Sequence, residues 1–304
     1  MKLFRLPLAS NQLWASDGAP AGTSQIATLS SGFSPMGVAN GQLYFNGGGI
    51  WKTDGTAAGT KQTDVLAGAN ALIHSGYVVG SRLFFAGETF AAGTWTTRLY
   101  VTEGTAASTH AILPIDQHSF YFTSEGFAFG GNYYFRNDDH IHGMELWRTD
   151  GTTAELVVDI NPGYRDGIED AIVFARPDGQ LLFAASDVNS GREPWITDGT
   201  AAGTRLLKNC AEEDSFNGSA PHLLRAAGDR LFFVAQLTAG ESLGMSDGTA
   251  AGTTATTLDF RWGIQNAAAA NGRYFFASST STNGLYASDG TVAGTTQIFD
   301  DTLQ

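Results

Sequence analysis

The sequence is poor in cysteine, proline and basic residues, and each shortage excludes a class of protein. Its single cysteine, Cys210, excludes an internal disulfide framework and a zinc site built on cysteines. With only 8 prolines beside 38 glycines, the composition indicates a turn-rich folded chain rather than a disordered one. Lys and Arg number 17 against 30 Asp and Glu, and the net charge of −13 disfavours nucleic acid as a partner.

Long apolar runs are also missing. No stretch approaches the roughly 18 apolar residues of a membrane-spanning helix, so we expect no membrane insertion. The opening residues, "MKLFRLPLAS", lack the apolar core of a signal peptide. Two locations stay open: the cytoplasm if Met1 is the native start, and the extracellular space if a signal peptide has been removed.

What the sequence does have is an internal repeat. The octapeptide "TDGTAAGT" occupies residues 53–60 and 197–204, and "SDGTAAGT" follows at 246–253. Alignment on the acidic residue gives seven copies, spaced by 37, 49, 47, 48, 49 and 42 residues and anchored at Asp17, Asp54, Glu103, Asp150, Asp198, Asp247 and Asp289. A period of about 40 to 50 residues is typical of one four-stranded propeller blade per repeat. The sequence therefore predicts an all-β fold, a seven-bladed β-propeller of mostly four-stranded antiparallel blades.

Each blade can be divided into strands A to D in chain order. In the second repeat, "PMGVA" is predicted as strand A, "QLYF" as B, "IWKT" as C and "KQTDVL" as D. The run "NAAAANG" at 266–272 favours a helix by composition, but its place in the repeat predicts strand A. The chain begins in a strand B, so the first blade should lack strand A. We expect residues 1–304 to form a single domain whose first and last blades meet through apolar packing that includes Trp14.

The repeated residues are interpreted as architecture. A carboxylate before "GT" can accept backbone N–H groups of the following turn, and the threonine hydroxyls can close further bonds. The alternative is a calcium ligand, but each turn offers one carboxylate where calcium needs six to eight oxygens. The aromatic residue three places before the acid is predicted to pack between blades, with each indole N–H reaching a nearby carbonyl, rather than to bind sugars.

Two repeats, "NDDHIHGMELWRTDGT" (137–152) and "SDVNSGREPWITDGT" (186–200), resemble the bacterial ELWxxDGT-repeat proteins. The resemblance covers nearly the whole chain. It implies a repeat architecture found in large, usually exported proteins and carries little information about function. The Glu before the aromatic pair, Glu145 and Glu193, is replaced in the other repeats.

Candidate binding residues lie in the variable B–C and D–A connections, which should share one face of the propeller. Trp95, in the third B–C loop predicted over residues 86–98, and Trp262, in the last D–A loop, stand outside the repeated aromatic register. Each is either a stacking surface for a ligand or a lid over the blades. The other candidates on these connections are Asp139, His142, Tyr164 and Arg165. A metal near His140 and His142 is a further alternative, but the spacing is loose and we expect no metal.

Strand A of a propeller lines the central channel. His74 and His222 share an offset of nine residues from strand B, so both should point into the channel from the third and sixth blades, with Glu125 and Asp170 close to the same level. Such a mouth could hold a ligand or perform acid–base chemistry, or it could simply be hydrated.

These features lead to two functional hypotheses. We expect a non-catalytic propeller that binds a glycan or a protein surface, with a small molecule in the channel as a further ligand. The alternative is an enzyme acting on a small molecule or polysaccharide through His74, His222, Glu125 and Asp170. No cofactor is expected, because no glycine-rich loop opens a helix and no GxSxG motif is present.

Overall fold

A computed structural model gives the structure of the chain. It describes residues 2–5, 11–67, 71–112, 126–168, 173–175, 179–211, 218–227, 229–237, 240–256, 258, 260, 263–279 and 284–300. The chain divides into two compact units, residues 1–139 with 147–155 and residues 140–146 with 156–304. The first contains blades one to three, the second contains blades five to seven, and the strands of the fourth blade are divided between them.

Seven antiparallel sheets follow one another along the chain, one for each repeat. The first has three strands, β1 (Lys2–Arg5), β2 (Gln12–Ser16) and β3 (Ser24–Thr28). The second contains β4 (Ser34–Ala39), β5 (Gln42–Asn46), β6 (Ile50–Thr53) and β7 (Lys61–Gln62). The third contains β8 (Ala71–Val79), β9 (Arg82–Ala91), β10 (Thr94–Thr102) and β11 (His110–Ala111).

The remaining four sheets each have four strands. The fourth contains β12 (Phe127–Phe129), β13 (Asn132–Asp138), β14 (Met144–Thr149) and β15 (Ala154–Val158). The fifth contains β16 (Val173–Ala175), β17 (Leu181–Asp187), β18 (Gly191–Thr197) and β19 (Arg205–Leu206). The sixth contains β20 (His222–Ala227), β21 (Arg230–Leu237), β22 (Gly240–Ser246) and β23 (Thr254–Ala255). The seventh contains β24 (Ile264–Ala270), β25 (Arg273–Ser278), β26 (Gly284–Ser288) and β27 (Thr296–Asp300), and the only helices among the described residues are 3₁₀ turns at Pro20–Gly22 and Ala106–Ser108.

These sheets give the chain the fold of a seven-bladed β-propeller with an incomplete first blade. The alanine-rich run at 266–270 is strand A of the last blade, as the repeat predicts. Two predictions about elements were wrong. The fourth strand of the second blade ends at Gln62. Thr63 still donates both its N–H and its hydroxyl to the Ile50 carbonyl, each at 2.8 Å, and the chain then turns, with Leu66 at a φ of 53°. The segment 86–98 is a hairpin that extends β9 and β10 rather than a loop, closed by Ala92 and Gly93.

The DGT turns are held by their own side chains. In the fifth repeat, Asp198 Oδ1 accepts hydrogen bonds from the backbone N–H and the hydroxyl of Thr200, at 2.9 and 2.7 Å. Thr204 closes the loop by donating to the Thr200 carbonyl at 2.7 Å. The hydroxyl and backbone donors of Thr200 hold the pKa of Asp198 below its ordinary value of 3.8. The same bonds recur at Asp54, Asp247 and Asp289, which supports the interpretation of the acid as part of the turn.

The glycine of "AGT" is required by the same carboxylate. A Cβ on this glycine would overlap the aspartate side chain at Gly22, Gly59, Gly203, Gly252 and Gly294. In the third repeat Ser108 replaces the glycine and Glu103 replaces the aspartate. There, Ser108 Oγ accepts from the N–H groups of Glu103 and Thr105, at 3.1 and 3.3 Å. The serine hydroxyl thus takes over the role that the aspartate has elsewhere.

Three of the repeated aromatic residues pack between blades, as predicted for the whole set. Trp51 stacks on Phe45 and contacts the cluster formed with the first blade, while Tyr100 stacks on Phe85 in the cluster between the second and third blades. Tyr286 stacks on Phe276 in the cluster between the sixth and seventh blades. In the sixth repeat Gly244 replaces the aromatic residue, and the Phe233 ring lies where its Cβ would stand.

The prediction for the indole N–H groups was wrong. The Nε1 atoms of Trp51, Trp147 and Trp195 are buried and have no hydrogen-bond partner within the described parts of the chain. Trp14 Nε1 reaches the side-chain oxygen of Gln12 at 3.4 Å rather than a backbone carbonyl. The backbone carbonyls of these strands lie in the plane of the sheet and pair with the neighbouring strands, whereas the indoles project out of that plane.

Two wider predictions stay open. The three-stranded first blade is confirmed among the described residues, but the contact of the first and last blades through Trp14 stays a prediction. One domain over residues 1–304 likewise stays a prediction. Among the described residues, no helix has the length and apolar character required to cross a bilayer.

Candidate functional site

The variable connections of the second unit lie against one another. In the fourth repeat, the N–H groups of Gly167 and Ile168 on the D–A connection both donate to the Met144 carbonyl at 3.0 Å. In the fifth, the Ala220 N–H donates to the Arg192 carbonyl at 2.9 Å. Each D–A connection therefore runs along the start of its own strand C, next to the B–C connection, as the repeat predicts.

The third blade carries an exposed aromatic pair. Phe90 on β9 and Trp95 on β10 are cross-strand partners whose ring centroids lie 5.2 Å apart, and their exposed fractions are 41% and 44%. The two strands have 10 and 9 residues, so this hairpin is longer than those of the other blades. It places Trp95 on a rigid strand close to a two-residue turn.

Both candidate histidines lie on the first strand of their blade and contact a buried glutamate. His74 Nε2 is 3.6 Å from Glu88 Oε2, and His222 Nε2 is 3.4 Å from Glu241 Oε1. The His222 ring is also held by its Nδ1, which lies 3.1 Å from the Ala220 carbonyl oxygen. A carboxylate beside an imidazole orients the ring and can assist proton transfer. That the two histidines point into a channel stays a prediction.

Four of the other candidates lie among the described residues. Asp139 and His142 are half-buried in the connection between β13 and β14. Tyr164 is 82% exposed, and Arg165 beside it is also exposed. Glu125, Asp170 and Trp262 lie outside the described residues. Within the part of the chain that the structure describes, no three His, Cys, Asp or Glu residues form a metal-binding group.

Two buried glutamates, Glu145 and Glu193, have a structural role that their place in the sequence does not predict. Both are fully buried at the same position of strand C. Glu193 accepts from the N–H groups of Cys210, Ala211 and Ser219, at 3.1, 3.1 and 3.0 Å, and from the Ser219 hydroxyl. It therefore fastens the D–A connection to strand C. The Glu of the ELW motif could have indicated this role, but the other repeats have different residues at that position.

Burial raises the pKa of both glutamates. For Glu193 the effect is opposed by hydrogen bonds from Ser219, Cys210 and Ala211, which favour the ionised form. Burial raises the pKa of Glu145 to about 8, hydrogen bonds from Asn161 and Ile160 oppose the rise, and the nearby charges of Asp159 and Asp166 add to it. The two equivalent carboxylates therefore differ in how well their surroundings accommodate a negative charge.

No protein-family model and no curated protein sequence matches this chain. Solved structures do match its fold. A puromycin hydrolase matches with a TM-score of 0.54 at 14% identity, over 95% of this chain and 52% of that one. A puromycin-hydrolyzing peptidase of Mycobacterium tuberculosis gives 0.51 at 11% identity, over 98% and 53%. A prolyl endopeptidase gives 0.50 at 15% identity, over 87% and 42%.

This chain therefore spans about half the length of these two puromycin-hydrolysing proteins. At such low identity the likeness shows the β-propeller fold alone.

Proposed function

We propose that this propeller is a non-catalytic binding module whose B–C and D–A connections take a glycan or a protein surface. The exposed pair of Phe90 and Trp95 carries the proposal. Two aromatic rings of this size are normally buried, and here they stand exposed on a long, regular hairpin. An exposed indole on a rigid strand offers a flat apolar face on which a sugar ring or an apolar side chain can stack at little cost in conformational entropy.

We also propose that the chain is an ELWxxDGT-repeat protein. The supporting observation is that each residue type of this motif has its own structural role. The Asp accepts the hydrogen bonds of the turn, the aromatic residue packs between blades, and the Glu binds the D–A connection to strand C.

A glycan array probed with the intact chain tests binding, and Trp95→Ala tests the surface. We expect selective glycan binding that falls at least about tenfold in the variant, because a hot-spot aromatic contributes about 2 kcal/mol or more. Val292→Ala is the control, since Val292 is 48% exposed but lies in the turn between β26 and β27, at the opposite end of the strands from the B–C and D–A connections. Equal binding by Trp95→Ala and the parent would reject this surface.

A second candidate function is supported by the two contacts between histidine and glutamate. An imidazole held by a buried carboxylate could act as a general base on a small molecule or polysaccharide. This alternative requires a turnover that disappears in His74→Ala or His222→Ala. Binding without turnover in the parent chain would favour the first proposal.

A further inference from the structure

A cavity of about 280 Å³ lies between the second and third blades. Its walls include Gly48 and Gly49 of the second B–C connection, Leu66 and Ala67 of the following D–A connection, and Ala71 at the start of β8. Small-molecule sites are clefts of about 300–1,000 Å³ with mostly apolar walls and a few polar groups. The cavity is therefore large enough for one small molecule, and it lies among the connections to which we assign binding.

Gly49 stands where the fourth and fifth repeats have a buried glutamate. It precedes Asp54 by five residues, just as Glu193 precedes Asp198 by five. A Cβ on Gly49 would overlap the side-chain nitrogen of Gln62. The second repeat thus has an amide from strand D beside the position where the fifth has a carboxylate from strand C.

The residues on the D–A side of the cavity correspond to those that bind Glu193. Thr63, directly after β7, donates its N–H to strand C at 2.8 Å, as Leu207 does directly after β19 at 2.9 Å. Counted from these two residues and from the histidines of strand A, the matching pairs are Leu66 with Cys210, Ala67 with Ala211, and Ala71 with Ser219. The cavity therefore has the place of the Glu193 carboxylate in the fifth repeat.

Fewer hydrogen-bond donors are available here than around Glu193. The Leu66 N–H has no partner among the described residues, so it is available to a ligand. The Ala67 N–H donates to the Asp64 carbonyl at 3.1 Å, and Ala71 has no hydroxyl. Among the described residues that line the cavity, none is basic. Because a buried charge needs several donors or an opposite charge, a group bound here should be neutral.

The polar groups of the cavity suit an amide. Gln62 Nε2 donates to the Gly48 carbonyl at 3.4 Å, which leaves its Oε1 to accept a hydrogen bond. The Leu66 N–H can donate, so one donor and one acceptor are available. Val65 and Ile73 add to the apolar part of the wall. An acetamido group combines one acceptor, one donor and a methyl group in the same way.

One side chain ties the two sides of the cavity together. Asn46 Oδ1 accepts the N–H groups of Gly48 and Gly49, at 3.1 and 3.4 Å. Its Nδ2 donates to the carbonyls of Ile73 and His74 on the third blade, at 2.6 and 3.2 Å. The walls are therefore held before any ligand arrives, which lowers the entropic cost of binding.

We propose that this cavity binds the acetamido group of an N-acetylated sugar, and this inference rests on the proposed binding of a glycan. The acetamido oxygen accepts the Leu66 N–H, its nitrogen donates to Gln62 Oε1, and its methyl group packs against the apolar wall that includes Val65 and Ile73. The cavity volume exceeds that of an acetamido group, so part of the sugar ring also enters. A ring of this kind fills the space better than the thin aliphatic chain of an acetylated lysine.

Saturation-transfer NMR on the intact chain, with N-acetylglucosamine as the probe, tests the proposal. We expect binding in which the acetyl methyl protons receive the largest saturation, because they are the deepest part of the ligand. Glucose, which lacks the acetamido group, should bind at least about tenfold more weakly, because it leaves the polar groups of the site unpaired.

Two variants locate the site. Ala71→Phe fills the cavity and should weaken binding of N-acetylglucosamine at least about tenfold. Leu72→Phe is the matched control, because Leu72 is the next residue on β8, points to the opposite face of the sheet and is 50% exposed. Gln62→Leu removes the acceptor at an exposed position, so it should keep the fold and also weaken binding about tenfold.

Three results would overturn the proposal. They are equal binding of glucose and N-acetylglucosamine, unchanged binding in both Ala71→Phe and Gln62→Leu, and tighter binding of N-acetyl-lysine than of the sugar. Glycan binding that is lost in Trp95→Ala but unchanged in Ala71→Phe would reject the cavity and leave the proposed function standing. Absence of any glycan binding by the parent chain would reject both.

Discussion

At the scale of single residues, the aspartate of the DGT turn contributes to stability through hydrogen bonds that solvent can partly replace. Asp198 is exposed, and its Oδ1 receives two hydrogen bonds from Thr200. A hydrogen bond to a buried charge would be worth about 1.5–3 kcal/mol, but an exposed one competes with water and is worth less.

We therefore expect Asp198→Ala to lower the free energy of unfolding by about 1 kcal/mol at pH 7 without changing ligand affinity. The pKa of Asp198 is lower in the folded state than its ordinary value of 3.8. Its contribution is therefore fully present above that value and is lost as the pH falls through the lower folded-state pKa. Urea unfolding of the parent and variant at pH 7 and about pH 2.5 should show the difference shrinking in acid.

Asp198→Asn is the control, because its side-chain oxygen can still accept both bonds. Unchanged stability in Asp198→Ala would contradict a structural role for the turn. A calcium-dependent stability of the parent chain that disappears in Asp198→Ala would also contradict it.

At the scale of elements, the acid and the glycine of the turn depend on each other. Gly203 has no room for a Cβ beside Asp198, whereas the third repeat combines Ser108 with Glu103. We expect Gly203→Ser alone to destabilise the chain by about 1–2 kcal/mol through crowding. The double variant Asp198→Glu with Gly203→Ser should recover at least about 1 kcal/mol of that loss, because it reproduces the combination of the third repeat.

A double-mutant cycle of thermal or urea unfolding measures this coupling. The reverse change is Ser108→Gly in the third repeat, with its native Glu103. It removes the hydroxyl that accepts hydrogen bonds from the N–H groups of Glu103 and Thr105, so it should lower the free energy of unfolding. If the effects of the Asp198 and Gly203 changes on the free energy of unfolding simply add, the two residues are not coupled in the turn.

The sequence predicted elements well where the repeat constrained them and poorly where one repeat departed from the others. The strand over Ile264–Ala270 was found because its position in the repeat outweighed its helical composition. The long hairpin of the third blade was missed because Gly87 and Gly93 made its extended part resemble a loop. His74 and His222 were placed on the correct strands, but their glutamate partners come from other strands of the same sheet, and no spacing rule reveals these contacts.

The buried glutamates were missed for an energetic reason. A carboxylate in strand C is ordinarily exposed, and only the backbone donors of a distant connection make its burial tolerable. For Glu193 these donors come from residues 17 to 26 positions later in the chain. Such donors become apparent only once the chain is folded.

At the scale of the whole molecule, the blades should differ in local stability. Among the residues that the structure describes, the first blade has three strands and no strand A, while the fourth has four. A sheet with one fewer strand has fewer backbone hydrogen bonds to break before it opens. We expect amides of β2 to exchange with deuterium faster than those of β13 in the fourth blade.

Native-state hydrogen exchange at neutral pH measures this difference. The central strand β21 of the sixth blade is the control, because its blade is complete and it should match β13. Equal protection in β2 and β13, or a fourth strand paired in the first blade, would contradict the prediction.

The near-identity of the octapeptides also has a genetic consequence. Where the codons match as the peptides do, the stretches encoding 53–60 and 197–204 would be sites of unequal crossing-over. Each stretch encodes the same turn between the third and fourth strands of a sheet, so an exchange would delete or duplicate three whole repeats without cutting a strand. The recombined sheet would combine three strands from one repeat with the fourth strand of another, joined by an unaltered turn. A single exchange of this kind therefore changes the number of blades that the gene encodes, and the recombined sheet keeps all four of its strands.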